Sequence, residues 1–318
     1  MNEHATPHSD NATQVSLDFP GGWKGWVKTG EEFLFSAEVG HRLTLPNVGT
    51  WREWLTRMLD APVDLPGSML LKHSDSSPIL RARIACKGTG QCAGLDVVVR
   101  RFEPRGALAR MVAAMRRSEA SRLRFKADRL RGTGILTPTP LAELHRRFPF
   151  GSSILVLPYV ADLTDLDQIV LTLLPRLRDP ELNRAKRRLM EAVAELCGLL
   201  QFHAMPHRDL KASNVLFRGW DSPNPALVLL DLEGLQFRRG GATSDPLFPV
   251  VRLAASLMSH RSLTRTDYLR FLRVLTSCSD WNERDARVLY RSISAAAEDY
   301  NRRARLRKKD KLDRPFGE

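Results

Sequence analysis

Cysteine is scarce in this 318-residue chain, and a long apolar run is absent. We interpret the four cysteines as reduced thiols, because their spacing does not match a zinc site: Cys86, Cys92, Cys197 and Cys278. No run reaches the roughly 18 apolar residues that a membrane span requires. The polar N-terminus also lacks the basic-then-apolar order of a signal peptide. These absences predict a cytoplasmic protein without a transmembrane segment.

Acidic residues are too few to balance the basic ones. The chain has 49 Lys and Arg against 36 Asp and Glu, which gives a net charge of +13. Such a field attracts nucleic acid, an anionic lipid surface or a phosphorylated glycolipid. No nucleic-acid motif accompanies the charge, so we favour a lipid or sugar-phosphate surface and expect no nucleic-acid partner. Solvated charge that serves solubility alone is the alternative.

The stretch from His207 to Phe217, HRDLKASNVLF, places three chemically distinct side chains in one short loop. They are an acid, a cation two residues later and an amide five residues later: Asp209, Lys211 and Asn214. The loop leads into an apolar strand. After a polar turn, a second apolar run at 226–230 ends at another acid, Asp231, in the sequence LLDLEG.

Phosphoryl transfer from ATP requires such a set of side chains. A carboxylate must lie near the attacking hydroxyl, a cation must neutralise the moving phosphoryl group, and two oxygen ligands must hold Mg²⁺. Magnesium prefers oxygen ligands, and a carboxylate with an amide carbonyl suits it when phosphates and water complete the coordination. The spacing and the strand context therefore predict a phosphotransferase that uses ATP and Mg²⁺.

This segment resembles the catalytic and metal-binding loops of the protein-kinase-like superfamily, and more closely those of the bacterial lipopolysaccharide kinase family of the Kdo and WaaP type. Residues 134–142 (GILTPTPLA) and 251–257 (VRLAASL) resemble the same family. The resemblance covers about residues 67 to 300. It implies an α+β, bilobal protein-kinase-like fold, with a small antiparallel-sheet N-lobe plus one helix and a mainly helical C-lobe.

The same resemblance implies roles for the four side chains. Asp209 would orient the sugar hydroxyl and accept its proton, and Lys211 would neutralise the transferred phosphoryl group. Asn214 and Asp231 would hold Mg²⁺. The four together argue against a chain that has lost catalysis.

Three strands are predicted before a helix, at 68–72, 78–86 and 95–102. Kinases place a lysine on the third strand to hold the α- and β-phosphates, but Arg100 occupies that position here. Arginine keeps the charge, although its planar fork differs from a compact ammonium. Three alternatives stay open: Arg100 holds the phosphates, Lys87 at the end of the second strand does so, or the chain is a pseudokinase. The turn before the second strand also lacks the GxGxxG of protein kinases.

One long helix is predicted from Gly106 to Arg131. Glu119 lies on its apolar stripe, where a carboxylate requires a nearby cation. In kinases a glutamate of this helix holds the strand lysine, so the resemblance implies a pair of Glu119 with Arg100. A partly exposed glutamate at the helix edge is the alternative. The opposite face carries a basic ridge at seven-residue spacing: Arg110, Arg117, Arg124 and Arg131.

The segment PYVADLTDL, after a predicted strand at 152–157, resembles a kinase hinge. Backbone groups of the hinge would hydrogen-bond adenine. Pro158 has no amide hydrogen, but its carbonyl can accept. Val160 would supply the donor.

The sequence predicts five segments. Residues 1–14 are expected to be disordered, and residues 15–66 to form an N-terminal extension packed on the first lobe. Residues 67–157 and 158–300 would be the kinase-like N-lobe and C-lobe. A basic tail at 301–318 could contact anionic lipid headgroups. In the C-lobe, helical periodicity predicts a helix at 181–203, and capping-box spacing at Thr264 and Asp280 predicts two more.

The predicted function is ATP-dependent phosphorylation of a sugar hydroxyl in the lipopolysaccharide core or a similar lipid-linked saccharide. A serine/threonine-type protein kinase and a pseudokinase that acts as a binding scaffold are the alternatives. The expected partners are ATP, a glycolipid or saccharide acceptor, and an anionic membrane surface contacted at the periphery from the cytoplasm. The sequence gives no sign of an oligomeric state.

Overall fold

The computed structural model describes residues 12–33, 42–61, 65, 67–72, 78–85, 94–146, 150–237, 247–258, 260–277 and 286–312. The chain divides into two units, residues 1–161 and 162–318. The predicted disorder of residues 1–14 falls mostly outside the described residues. Thr13 and Gln14 already belong to the first strand.

Unit 1 is built on an antiparallel sheet of eight strands. The strands follow the order β1-β2-β7-β8-β6-β5-β4, and β3 pairs with β2 outside this path. Their bounds are β1 Thr13–Phe19, β2 Trp23–Phe33, β3 Arg42–Leu45, β4 Met69–Lys72, β5 Ile79–Ile84, β6 Leu95–Phe102, β7 Ala142–Arg146 and β8 Ser153–Pro158. In β6 the alternate residues Leu95, Val97 and Val99 are buried, as a strand with one face on the core requires.

The N-terminal strands belong to the same sheet as the predicted N-lobe strands. Residues 23–27 of β2 pair with β7. At Gly25 a Cβ would lie 1.9 Å from the Glu143 carbonyl oxygen, so only glycine permits this approach. Helix α1 (Val48–Asp60) adds Trp51, which is fully buried and donates from its ring nitrogen to the Lys28 carbonyl at 2.7 Å. The predicted N-terminal extension therefore supplies strands and core residues to this sheet.

Two helices replace the single helix predicted at 106–131. They are α2 (Ala107–Met115) and α3 (Glu119–Arg131). The break has a local cause, because the Ser118 hydroxyl accepts the Ser121 amide at 3.1 Å and caps a new helix. Arg116 is accordingly extended, with φ −102° and ψ 170°. The prediction of one helix, and of one helix in the N-lobe, is wrong in this respect.

The predicted ridge of four arginines is also wrong, because the four do not lie on one helix and two of them contact the rest of unit 1. Arg124 lies on α3 with its Nε 3.0 Å from the buried Glu143 carboxylate. That carboxylate also accepts from the Trp26 ring nitrogen at 3.1 Å and from the Ser121 hydroxyl. Arg131 donates to the Thr139 hydroxyl at 2.9 Å. These contacts tie α3 to the sheet, so the two arginines do not share a solvent-facing row with Arg110.

Unit 2 is mainly helical. Its helices are α4 Leu166–Gln168, α5 Glu181–Phe202, α6 Phe248–Leu257, α7 Arg265–Ser277 and α8 Ala286–Leu312. A three-stranded sheet follows the order β11-β10-β9, with β9 Leu163–Asp165, β10 Val215–Arg218 and β11 Ala226–Leu229. The predicted helix at 181–203 is confirmed within one residue, because its apolar residues recur at helical spacing and are buried.

The capping box predicted at Thr264 begins α7. The Thr264 amide and hydroxyl both donate to the Asp267 carboxylate, at 2.9 and 2.7 Å. Asp267 also forms a buried ion pair of 3.2 Å with Lys186 of α5. The second predicted box, at Asp280, lies outside the described residues. The predicted basic tail is helical as far as Leu312, because α8 continues into it.

One of the four cysteines lies within the described part of the chain. Cys197 of α5 is a buried free thiol, and burial raises its pKa to about 12. No helix of the described residues combines the length and the apolar character needed to cross a bilayer.

Candidate active site

The loop predicted to carry catalysis is held to the segment after β11 by backbone hydrogen bonds. The Arg208 amide donates to the Gly234 carbonyl at 2.9 Å, and the Gln236 amide donates to the Pro206 carbonyl at 2.9 Å. Between them, His207 forms a bridge with Leu235. Two polar segments that are distant in sequence therefore lie side by side.

His207 and Gly234 fix this junction. The His207 ring is fully buried, and its Nε2 donates to the Asp231 carbonyl at 2.9 Å. A Cβ on Gly234 would lie 2.6 Å from His207 Cε1 and 3.2 Å from the Asp209 amide nitrogen. Only glycine leaves room for the ring. Asp231 itself has φ +56°, a left-handed conformation that non-glycine residues rarely adopt outside turns and functional sites.

Asn214 joins the loop to the hairpin. It ends a 3-10 turn at Ala212–Asn214, and its amide nitrogen Nδ2 donates to the Asp209 carbonyl at 2.9 Å. Its own carbonyl accepts the Leu230 amide at 2.9 Å. Asp231 is the next residue, so it emerges from the hairpin beside Asn214. Because Nδ2 is committed to the loop, the side-chain oxygen of Asn214 is the atom left to bind a cation.

The Asp209 carboxylate contacts two cations. Oδ2 lies 3.4 Å from the Lys211 ammonium, and Oδ1 accepts from the guanidinium of Arg252 on α6. Burial favours the neutral acid, but the hydrogen bond and charge of Arg252, followed by those of Lys211, outweigh it. The pKa of Asp209 is therefore held below its ordinary value, and the group is ionised at neutral pH.

Helix α6 supports the loop through two residues that sequence reasoning missed. The Ser256 hydroxyl accepts the Ala212 amide at 2.9 Å and donates to the Leu253 carbonyl at 2.7 Å. The Arg252 guanidinium carbon lies 4.3 Å from the centre of the Tyr300 ring on α8. The signal that could have found them is their spacing, since polar residues four apart share one helix face.

Unit 1 holds other residues predicted to bind the nucleotide. Arg100 lies on β6 between Ile79 of β5 and Leu155 of β8, with its guanidinium carbon 5.3 Å from the Phe102 ring. Glu119 begins α3, is partly exposed and is ion-paired with Arg122. This corresponds to the alternative of a partly exposed glutamate, and the pair with Arg100 stays a prediction.

The predicted hinge follows β8. Pro158 ends the strand, and the Tyr159 amide donates to the Asp96 carbonyl at 2.9 Å. The contacts of Pro158 and Val160 with adenine stay predictions. Lys87 lies outside the described residues, as does the turn at 73–77.

An antiparallel-sheet unit followed along the chain by a mainly helical unit, with the predicted loop held to the predicted hairpin, is the arrangement expected of a protein-kinase-like fold. A family model described as "Lipopolysaccharide kinase (Kdo/WaaP) family" matches residues 106–275, more than half of the chain. The chain belongs to this lipopolysaccharide kinase family and is a kinase. The predicted family is thereby confirmed.

A solved structure described as "WaaP in complex with acyl carrier protein" has the same fold. It matches with a TM-score of 0.56 and 22% sequence identity, over 81% of this chain and 98% of that chain. The predicted fold class, an antiparallel-sheet N-lobe followed by a helical C-lobe, is confirmed. A comparison with curated proteins gives no match.

Proposed function

We propose that this kinase transfers the γ-phosphoryl group of ATP to a sugar hydroxyl of the lipopolysaccharide core or of a similar lipid-linked saccharide. The observation that carries the proposal is the junction of the catalytic loop with the hairpin. Hydrogen bonds join the Asn214 side chain to the Asp209 carbonyl, the Leu230 amide to the Asn214 carbonyl, and the His207 ring to the Asp231 carbonyl. Membership of the lipopolysaccharide kinase family supports a sugar as the acceptor.

Asp209 is proposed as the group that receives the acceptor hydroxyl. Its ionised carboxylate would accept the hydrogen bond of the hydroxyl, and later the proton, while the new O–P bond forms and the bond to ADP breaks. Phosphoryl transfer has a loose transition state, so the hydroxyl becomes acidic late and orientation matters more than basicity. A carboxylate whose pKa is low suits that role.

The negative charge of the phosphates is proposed to be stabilised in two ways: directly by Lys211, and through Mg²⁺ by Asn214 and Asp231. The Lys211 ammonium lies 3.4 Å from Asp209, so it would stabilise the phosphoryl group that approaches the same carboxylate. The Asn214 amide oxygen and the Asp231 carboxylate are hard oxygen donors of the kind that Mg²⁺ binds. When bound there, Mg²⁺ would neutralise charge on the β- and γ-phosphates.

The nucleotide is proposed to be held in unit 1 by side-chain and backbone groups. Arg100 or Lys87 would contact the phosphates, and Glu119 would support that cation. The Pro158 carbonyl and the Val160 amide would hydrogen-bond adenine. The β6 position of Arg100 supports its role, because its strand neighbour β8 leads directly into the hinge.

The test is transfer from radiolabelled Mg-ATP to lipopolysaccharide core treated beforehand with phosphatase. The wild-type protein should label the saccharide. Asp209→Asn should reduce kcat by roughly a hundredfold to ten-thousandfold, the range for loss of a general base. Asp221→Asn, on the exposed turn of the same hairpin, is the matched control and should retain full activity.

Unchanged turnover in Asp209→Asn would show that the role given to this carboxylate is wrong. Labelling of a peptide or protein in place of any saccharide would favour the serine/threonine-type protein kinase.

A further inference from the structure

Helix α2 exposes an apolar stripe. None of its residues is buried. Four large apolar side chains recur at the spacing of one helix face, with exposures of 71%, 46%, 38% and 81%: Leu108, Met111, Val112 and Met115. An apolar stripe of this kind normally faces a core. Here it is available to a partner.

The opposite face of α2 makes the contact with the rest of unit 1. Gly151, which has φ +63°, approaches so closely that a Cβ would lie 2.8 Å from Ala113 Cβ and 2.9 Å from the Arg110 carbonyl oxygen. At 100° per residue, Arg110 and Ala113 lie roughly 150° from the centre of the stripe. The helix thus contacts Gly151 through the Ala113 side chain and the Arg110 backbone, on the side away from the stripe.

A basic cavity lies at the C-terminal end of α2. Its volume is about 410 Å³, and its lining among the described residues includes Met115, Arg116, Arg117, His145 and Arg146 but no carboxylate. The Arg146 guanidinium is stacked 3.5 Å from the Phe150 ring centre, which holds it in place. Its Nε is buried without a hydrogen-bond partner among the described residues.

Two acids, one in the sheet and one in α3, already have cationic partners. Glu143 is engaged by Arg124, Trp26 and Ser121, and Glu119 is paired with Arg122. Among the described residues that line the cavity, no acid balances the charge of the arginines. Guanidinium groups in such a setting bind phosphate oxygens through paired N–H donors.

We propose that the apolar stripe and the basic cavity form one docking surface for an anionic phospholipid bilayer. Met115 belongs to both, so the occupant must present apolar and anionic groups side by side, as a lipid does. The stripe would enter the acyl region while Arg116, Arg117 and Arg146 bind lipid phosphates. The inference rests on the proposed function, because a lipid-linked acceptor is presented at a membrane surface.

Two pairs of substitutions separate the components of the surface. Met111→Ser with Met115→Ser removes two of the four apolar side chains of the stripe, and Arg116→Gln with Arg117→Gln removes two charges from the cavity. The matched control is Arg287→Gln with Val288→Ser on α8, where a basic and an apolar side chain are similarly exposed. All six positions are at the surface, so circular dichroism and the melting temperature should match wild type.

The measurement is sedimentation of the full chain with vesicles, without ATP or saccharide. Vesicles of phosphatidylcholine with phosphatidylglycerol are compared with phosphatidylcholine alone. We expect wild type to bind the anionic vesicles, the methionine pair to bind at least about tenfold more weakly, and the arginine pair to lose the preference for anionic lipid. The control pair should bind as wild type does.

Absence of vesicle binding by wild type, or equal binding by all variants, would overturn the inference. An acidic protein would then be the better occupant. Equal binding of wild type to both kinds of vesicle would remove the role given to the arginines. Failure of the proposed function can be distinguished from failure of the docking surface. In that case the protein would bind vesicles but would transfer phosphate to no saccharide. If the protein phosphorylates a delipidated saccharide but does not bind vesicles, the proposed function is supported and the docking surface is refuted.

Discussion

At the scale of single residues, Arg252 lowers the pKa of the Asp209 carboxylate more than any other side chain does. Asp209 has one oxygen on Arg252 and the other on Lys211. The hydrogen bond and charge of Arg252 are the largest influences that lower the pKa of Asp209. Arg252 also lies over Tyr300, so its position depends on α8. We infer that Arg252 positions Asp209 and keeps it ionised.

Arg252→Met should move the pH profile of the enzyme. Removal of the guanidinium raises the pKa of Asp209, so the acid limb of kcat/KM shifts to higher pH and activity at that limb falls. The loss of orientation should also lower kcat at neutral pH, by up to about a hundredfold if the carboxylate is displaced by about 1 Å. The measurement is the pH dependence of phosphoryl transfer.

Arg252→Lys should restore the position of the acid limb, because it restores the charge. Arg261→Met, an exposed arginine of the same unit, should leave the profile where it is. An acid limb that stays in place in Arg252→Met would mean that Arg252 has only a structural role.

The string HRDLKASN predicted the loop residues because their chemistry is encoded within eight positions. It did not predict Arg252, which is 43 residues away from Asp209 and reaches it only through the packing of α6. The family resemblance of VRLAASL identified the helix but assigned no role to its side chains. Long-range contacts of this kind depend on tertiary structure, which local spacing does not specify.

At the scale of elements, the junction of the predicted catalytic loop and the hairpin depends on close packing around Gly234. Gly234→Ala would place a methyl group 2.6 Å from the ring of His207. The ring would have to move, and with it the hydrogen bond to the Asp231 carbonyl. We expect a loss of about 1–3 kcal/mol in the free energy of unfolding, as overpacking typically costs, together with a large loss of activity.

Chemical denaturation measures the first effect and the transfer assay the second. Gly132→Ala is a suitable comparison, because its Cβ would meet only the Arg129 carbonyl at 3.5 Å and its φ is −67°. It should change the free energy of unfolding by no more than about 0.5 kcal/mol. If Gly234→Ala proves as mild as Gly132→Ala, the junction is less tightly packed than the distances indicate.

The predicted strands and helices agree with the fold where the spacing of apolar residues alone determines the secondary structure. The strands at β6 and β8 and the helix α5 are examples. One error has a local origin. The apolar spacing at 106–131 continues past Ser118, but the hydroxyl of that residue caps a second helix. In the segment predicted only as an N-terminal extension, Gly25 is required by the close approach of β2 to β7, which local spacing does not reveal.

At the scale of the whole molecule, the sequence left open which cation holds the nucleotide phosphates. The structure gives Arg100 a place on β6, next to the strand that leads to the hinge. Lys87 stays a candidate from the sequence. A measurement on the intact protein can decide between them, because any ligand that binds only the native state must stabilise it.

Mg-ATP should therefore raise the melting temperature of the wild-type protein. At a ligand concentration of about 100 Kd the stabilisation is about 2.7 kcal/mol, a shift of several degrees for a chain of this size. If Arg100 holds the phosphates, Arg100→Met should lose most of the shift while Lys87→Met retains it, and the reverse pattern would assign the role to Lys87. Arg57→Met, an exposed arginine of α1, should behave as wild type.

Chelation of Mg²⁺ should reduce the shift in wild type but have little effect in Asp231→Asn, because that variant lacks the proposed ligand. A wild-type protein that Mg-ATP fails to stabilise would contradict nucleotide binding by either cation.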